Sequence, residues 1–262
     1  MRDLVGGPSS TLGIWTSRKD PSPQVEASLL SRWDQSRSQL LEALRYGWSI
    51  PNSHVKGNVA VSKILGVVEE ARETPIVRSS NQRFTMDHMY EVDDRDIDRL
   101  KTLGFIPSST IGRDIFSESA MGSDAYEAVL GTEYVNKMFP LKKYLEAGIR
   151  PTLEADMGDE VTGKPLFTMG KAVCRCVDGS TRVWGRDQKV SREDALRMKT
   201  IWAAAYTGDE KILGSIEPGK LADLVVLNGD YMTVPEDRIA EIPMWMTLVG
   251  GRIVYETDAS DP

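Results

Sequence analysis

The sequence predicts an α/β fold: a partial TIM-type (β/α) barrel, about its last four or five strands, followed by a small β annex. Three observations carry this. Short apolar runs alternate with stretches of helical spacing from residue 27 to residue 206, the grammar of βαβ units around a parallel sheet. The strands recur every 20–45 residues or so, which suits a barrel or an open doubly wound sheet. After about residue 212 the helices stop and the chain turns β-rich. The division is therefore 1–212 for the α/β part and 213–262 for the annex.

The elements follow in order. In 27–46, Leu29, Leu30, Trp33, Leu40, Leu41 and Leu44 fall at helical spacing, and Gly47 is a natural stop. "WSIPNSH" is a buried strand, although Pro51 removes a ladder donor and calls for a bulge. "GNVAVSKILGVVEEARE" is a helix with Val61, Ile64, Leu65 and Val68 inward. "RFTMDH" is the next strand, "DDRDIDRLKTLG" a helix burying Ile97, Leu100 and Leu103, and "FIPSST" the third strand. The polar, glycine-containing stretch 111–136 reads as a loop or lid. "PLKKYLEAG" is a short helix and "IRPTLEAD" a fourth strand. "SREDALRMKTIWAAAY" is one helix, with Ser191 as N-cap and Asp194 reaching back in a capping box. In the annex, Gly250-Gly251 between two apolar runs predicts a two-residue hairpin turn.

Composition narrows the function classes. A net charge of −7 argues against a nucleic-acid partner, because phosphate binding wants a basic face. No apolar run is long enough to span a bilayer, and the N-terminus lacks the apolar core of a signal peptide, so a cytoplasmic protein is expected. The two cysteines, Cys174 and Cys176, form a C-x-C and are expected as reduced thiols, since a disulfide across one residue is strained. No G-x-G-x-x-G or Walker loop follows any strand, which counts against a dinucleotide or nucleoside triphosphate. Lys171, Arg175, Arg182 and Arg186 read as a solvated basic loop, with an anionic substrate as the other reading.

The chain holds only two histidines, and each closes a strand: His54 ends "WSIPNSH" and His88 ends "RFTMDH". Asp156 ends "RPTLEAD". In a parallel barrel the chemistry sits at the C-terminal strand ends. Two neutral imidazoles and a carboxylate meeting at one mouth suit a divalent first-row metal and leave a position for water. Each residue also has a plainer reading: a histidine after a strand as a hydrogen-bonded loop residue, and Asp156 as a turn former or helix cap.

Resemblance adds to this. "GSIEPGKLADLVVLNGDYMTVPEDRIAEIPMWMTLVGGRIVYE" resembles the C-terminal end of the metal-dependent amidohydrolase superfamily, in its amidohydrolase-3 branch. "LRYGWSIPNSHVKGN" resembles the family's fifth barrel strand, "RFTMDHMYEVDDRDIDRLKTLGFIPSST" its sixth strand and the following helix, and "PLKKYLEAGIRPTLEAD" its seventh helix and eighth strand. The resemblance implies that His54 and His88 are metal ligands and that Asp156 is ligand and general acid/base. It implies one or two divalent ions, zinc foremost, and hydrolysis of a C–N bond in a small amide-like substrate through a metal-bound hydroxide.

Two departures stand out. The family's H-x-H pair on its first strand has no counterpart here, and Gly6-Gly7 stands where an acidic-glycine turn is expected. A complete barrel takes about 250 residues, so the chain reads as the second half of the family's length. It then reads as a fragment, a truncated gene product or one half of a split enzyme, with a non-catalytic homologue as the rival to the hydrolase reading; the expected partner is a complementary N-terminal half or a second copy. The annex is expected to leave a strand edge unpaired, and the chain alone to show little turnover.

Overall fold

The computed structural model of the chain describes residues 23–55, 57–75, 82–112, 116, 123–155 and 164–257. They fall into two compact units, 1–110 with 124–151, and 111–123 with 152–262.

In the first unit, helix α1 (Pro23–Arg45) leads into strand β1 (Ile50–Val55), then α2 (Asn58–Arg72), β2 (Phe84–His88), α3 (Asp94–Leu103) and β3 (Phe105–Ser109). Neighbouring strands β1, β2 and β3 all run parallel, because each connection crosses back through a helix. A register shift between Ile50 and Ser53 brackets Pro51, the bulge that a proline in a ladder requires. Every residue of β2 is buried, as expected of a parallel strand covered on both faces. Its Phe84 stacks on the paired Phe105 at 5.2 Å. Val61, Ile64, Leu65 and Val68 of α2 and Ile97, Leu100 and Leu103 of α3 close over the sheet.

Local chemistry fixes the helix ends. Gly104 ends α3 in the left-handed region (φ 75), where glycine carries no Cβ penalty. Asp94 and Asp96 occupy its first turn, where carboxylates complement the helix dipole. Arg72 at the end of α2 donates to the carbonyls of Thr102 and Leu103 and so ties the two helices together. The stretch 111–136 is not the single loop that its composition suggests: α4 (Ser123–Leu130) and α5 (Thr132–Lys137) lie within it, and α6 (Leu141–Glu146) follows. Gly131 forms the break between α4 and α5.

The second unit holds β4 (Thr152–Leu153), α7 (Pro165–Cys174), α8 (Arg192–Lys199), α9 (Ile201–Thr207) and three antiparallel strands, β5 (Leu224–Leu227), β6 (Met244–Val249) and β7 (Arg252–Glu256). The stretch 191–206 is two helices rather than one, broken at Thr200 (φ −122, ψ −97). Ser191 caps α8 as expected, accepting from the Asp194 amide at 3.0 Å; the Asp194 carboxylate takes the Ser191 hydroxyl instead of the backbone N–H. Gly250 and Gly251 (φ 56 and 76) make the predicted hairpin turn between β6 and β7, since a primed turn demands two positive φ values.

Two further expectations fail in this unit. Cys174 and Cys176 are joined by a disulfide; Arg175 between them adopts the left-handed region (φ 57), which turns the chain sharply enough to bring the two sulfurs together. Lys171 and Arg175 are not part of a solvated loop but are 4% and 0% exposed. Lys171 donates to the Cys176 carbonyl and pairs with Asp178. The Arg175 guanidinium lies over Phe116 and its Nε donates to the Trp184 carbonyl; burial pulls its pKa down to about 9. Arg182 and Arg186 are exposed, as read. Helix α7, which the sequence pattern did not reveal, is what buries the first two.

Candidate metal centre

His54 and His88 end adjacent parallel strands, and the register explains why they meet. The β1–β2 ladder sets His54 opposite Asp87 and Val55 opposite His88. Successive side chains of a strand alternate faces, so a regular β2 would send His88 away from His54. The backbone breaks that alternation: His88 (φ 67) and Met89 (φ 42) both enter the left-handed region. The Met89 amide is held by the carbonyls of Val55 at 3.0 Å and Asp87 at 2.8 Å. The imidazole centroids end 4.7 Å apart with their planes at 82°. Left-handed non-glycine residues cost on the order of 1–2 kcal/mol each and persist where the surroundings over-determine them, as at binding sites.

The two rings differ in setting. His88 is 2% exposed, whereas the His54 side chain is 39% exposed, so the pair runs from the interior toward solvent. Buried Asp87 places Oδ2 3.5 Å from His54 Nε2. Thr110, just beyond β3 and fully buried, places its hydroxyl 3.3 Å from His88 Nδ1. Tyr90 stands edge-on to His88 at 5.9 Å and packs on Phe139 at 4.9 Å. Asp87, Tyr90 and Thr110 were not singled out from the sequence. For Asp87 and Thr110 the available signal was a polar residue beside a strand-end histidine or at the end of the neighbouring strand.

Glu91 is a further group that sequence reasoning missed. It is buried, and its carboxyl lies beside the Asn58 backbone amide. Burial pushes its pKa up to about 8; the Asn58 amide opposes the rise and nearby Asp93 adds to it. Asn58 opens α2 four residues after His54, and Glu91 follows His88 by three, so the acid lies where both strand ends feed into their helices. A glutamate within the apolar run "MYEV" was the available clue.

Asp156 lies outside the described residues, as do Gly6 and Gly7. What leads to Asp156 is described: β4 ends at Leu153, whose carbonyl accepts from Lys199 Nζ at 3.2 Å. Burial lowers the Lys199 pKa, with Glu154 opposing. Among the described residues no three His, Cys, Asp or Glu side chains are grouped to hold a metal ion. The structure therefore brings together two of the three residues proposed from the sequence. Two neighbouring imidazoles supply nitrogen donors of the kind that suits a borderline divalent cation.

The stretch "GSIEPGK" does a different job. A Cβ on Gly214 (φ 86) would meet Ala204 Cβ and Ile201 Cα at 2.8 Å, so only glycine fits against the α8–α9 break. Lys220 Nζ donates to the carbonyls of Glu210 at 2.7 Å and Leu213 at 3.3 Å and to the Ser215 hydroxyl at 2.6 Å, closing the turn on itself. Gly219 (φ 93) supplies the second left-handed position. These residues build a turn and carry no chemistry.

Comparison with known proteins agrees with the fold. The sequence model described as "Amidohydrolase family" matches residues 43–255. An N-substituted formamide deformylase of Arthrobacter pascens is 35% identical over 124 residues, 47% of this chain and 22% of that protein. A 5-methylthioadenosine/S-adenosylhomocysteine deaminase of Symbiobacterium thermophilum is 43% identical over 72 residues, 24% of this chain and 16% of that protein. The crystal structure of an uncharacterized metal-dependent hydrolase from Pyrococcus horikoshii superimposes with a TM-score of 0.57 at 22% identity, covering 76% of this chain and 38% of that one. The matched stretch thus spans well under half of each relative.

Proposed function

Because this chain belongs to the amidohydrolase family, we propose that it is the metal-binding C-terminal part of a hydrolase that cleaves C–N bonds in small amide-like substrates. The observation that carries the reading is the meeting of the chain's two imidazoles, 4.7 Å apart, at the ends of neighbouring parallel strands. The deformylase and deaminase among its relatives are named for removing a formyl group and an amine, both C–N cleavages.

In this reading His54 and His88 hold a divalent cation, zinc foremost, with Asp156 as the third ligand and the general acid/base. The cation, when bound, supplies the Lewis acidity that activates water near neutral pH and polarises a carbonyl. The protein's own groups do the rest. Asp87 lies beside the His54 ring, with Oδ2 3.5 Å from Nε2, and helps to orient it. Asp156 takes a proton from the attacking water and delivers it to the departing nitrogen. Tyr90, backed by Phe139, stands against the His88 ring and shields it from water.

The chain spans only part of its relatives, and the family's H-x-H pair is missing from it. We read the site as working with further strands, supplied by the same longer polypeptide or by a partner. The annex supports this: among the described residues β5 and β7 each pair only with β6, and all of β7 is exposed. Its sheet is completed by strands from an N-terminal half or a second copy. The test is to load the 262-residue chain with zinc or manganese and assay formamides and N-acyl amines, alone and with a family N-terminal half supplied. Turnover that needs the half and is lost in His88→Ala supports the reading. Zinc-independent turnover contradicts it.

A further inference from the structure

We propose that Thr110 is a positioning residue that orients the His88 ring toward the cation, an inference that rests on His88 being a ligand as argued above. Register places it. β2 and β3 run parallel with Met86 beside Pro107, which carries His88 to the level of Ser109 and Thr110. The threonine sits one residue past β3, is 0% exposed, and has its hydroxyl 3.3 Å from His88 Nδ1. The ring is 2% exposed, so bulk water is remote from that nitrogen.

The chemistry makes the contact matter. A neutral imidazole that gives Nε2 to a cation carries its proton on Nδ1. In a buried setting that N–H needs an acceptor, or the ring forfeits the water bond it gave up. The Thr110 oxygen accepts it. The same hydroxyl can instead donate to Nδ1 when the proton moves to Nε2, so it holds the ring plane through both metal-free tautomers. The strained His88 backbone brings the ring over His54, Tyr90 stands edge-on to it at 5.9 Å, and Thr110 fixes its rotation. Losing such an orienting partner costs about 10–100-fold in metal affinity.

The chain has only two histidines, so each ring can be followed separately. The 262-residue protein is labelled with 15N-histidine and prepared as wild type, Thr110→Val, Thr110→Ser and His88→Ala, with Thr110→Ala standing in if the valine variant fails to fold. Zinc affinity is read by competition with a chromophoric chelator, the ring nitrogens by NMR, and folding by thermal melting. Thr110→Val is expected to weaken zinc binding about 10–100-fold and to move the His88 Nδ1 signal more than either His54 signal. Thr110→Ser is expected to keep both near wild type. Wild-type affinity and an unmoved His88 signal in Thr110→Val, with binding lost in His88→Ala, would overturn the role of Thr110 and leave the metal reading standing. Equal weakening in the serine and valine variants would reduce Thr110 to a packing role and also overturn it. A wild-type protein whose two rings do not respond to zinc would overturn both.

Discussion

The turn at 210–220 and the strand ends at 54 and 88 divide recognisability from chemistry. In the turn, nearly every residue has a backbone reason. Gly214 touches the α8–α9 break, Gly219 takes a positive φ, and Lys220 knots three oxygens together. Such positions admit few residue types, so the turn is easily recognised, yet it supplies no candidate ligand. At the strand ends two imidazoles, a carboxylate and a hydroxyl converge through register and one break in the backbone. A side chain need only reach a point in space, so its sequence context is loose. The family is most legible where the protein does least chemistry.

Substitutions sharpen this contrast. Gly214→Val should cause the largest loss of stability. It forces a β-branched residue into a left-handed backbone with a carbon 2.8 Å from two others, and about 3 kcal/mol should be lost in denaturant unfolding. The two ring signals should keep their response to zinc in the protein that remains folded. A fall in stability together with a lost zinc response would erase the division.

Glu91→Gln acts through pH and in the opposite direction. The folded-state pKa of about 8 lies above the ordinary 4.5, so the native state holds the proton more tightly than the unfolded chain does. Glu91 therefore subtracts nothing at pH 4, and stability falls as pH rises from about 4.5 to about 8. Glutamine matches the protonated acid in shape and cannot ionise. The variant should equal the wild type near pH 4 and exceed it by about 4 kcal/mol at most near pH 8. A pH-independent difference in urea unfolding would mean that Glu91 is ionised in the native protein.

Lys220→Met should cost somewhat less, about 1–2 kcal/mol, because the methionine stem keeps the packing while the carbonyls of Glu210 and Leu213 lose their donor. Thermal melting reads this directly, and an unchanged midpoint would show the knot to be ornamental to folding.

The sequence made the strands and helices of 27–110 readable because apolar periodicity there is strong and Gly47, Pro51 and Gly104 mark stops and a bulge. It made the hairpin readable through Gly250-Gly251. It did not show α4 and α5, whose polar faces and flanking glycines imitate a loop. Nor did it show that Lys171 and Arg175 are internal, since charge signals exposure unless a partner such as Asp178 or Phe116 is known in advance. At the candidate site, the placement of His54 and His88 at strand ends was readable from the apolar runs before them. Thr110, Asp87 and Glu91 were not, because their roles depend on lateral register and burial, which leave no mark on a single chain.

Whether His54 and His88 bind one divalent cation together is read by a chelator-competition titration of zinc against wild type, His54→Ala, His88→Ala and the double variant. The account predicts that each single substitution removes most of the affinity and that the double variant is hardly worse than either, since the two rings act as one site. Zinc held equally well by the double variant would contradict it.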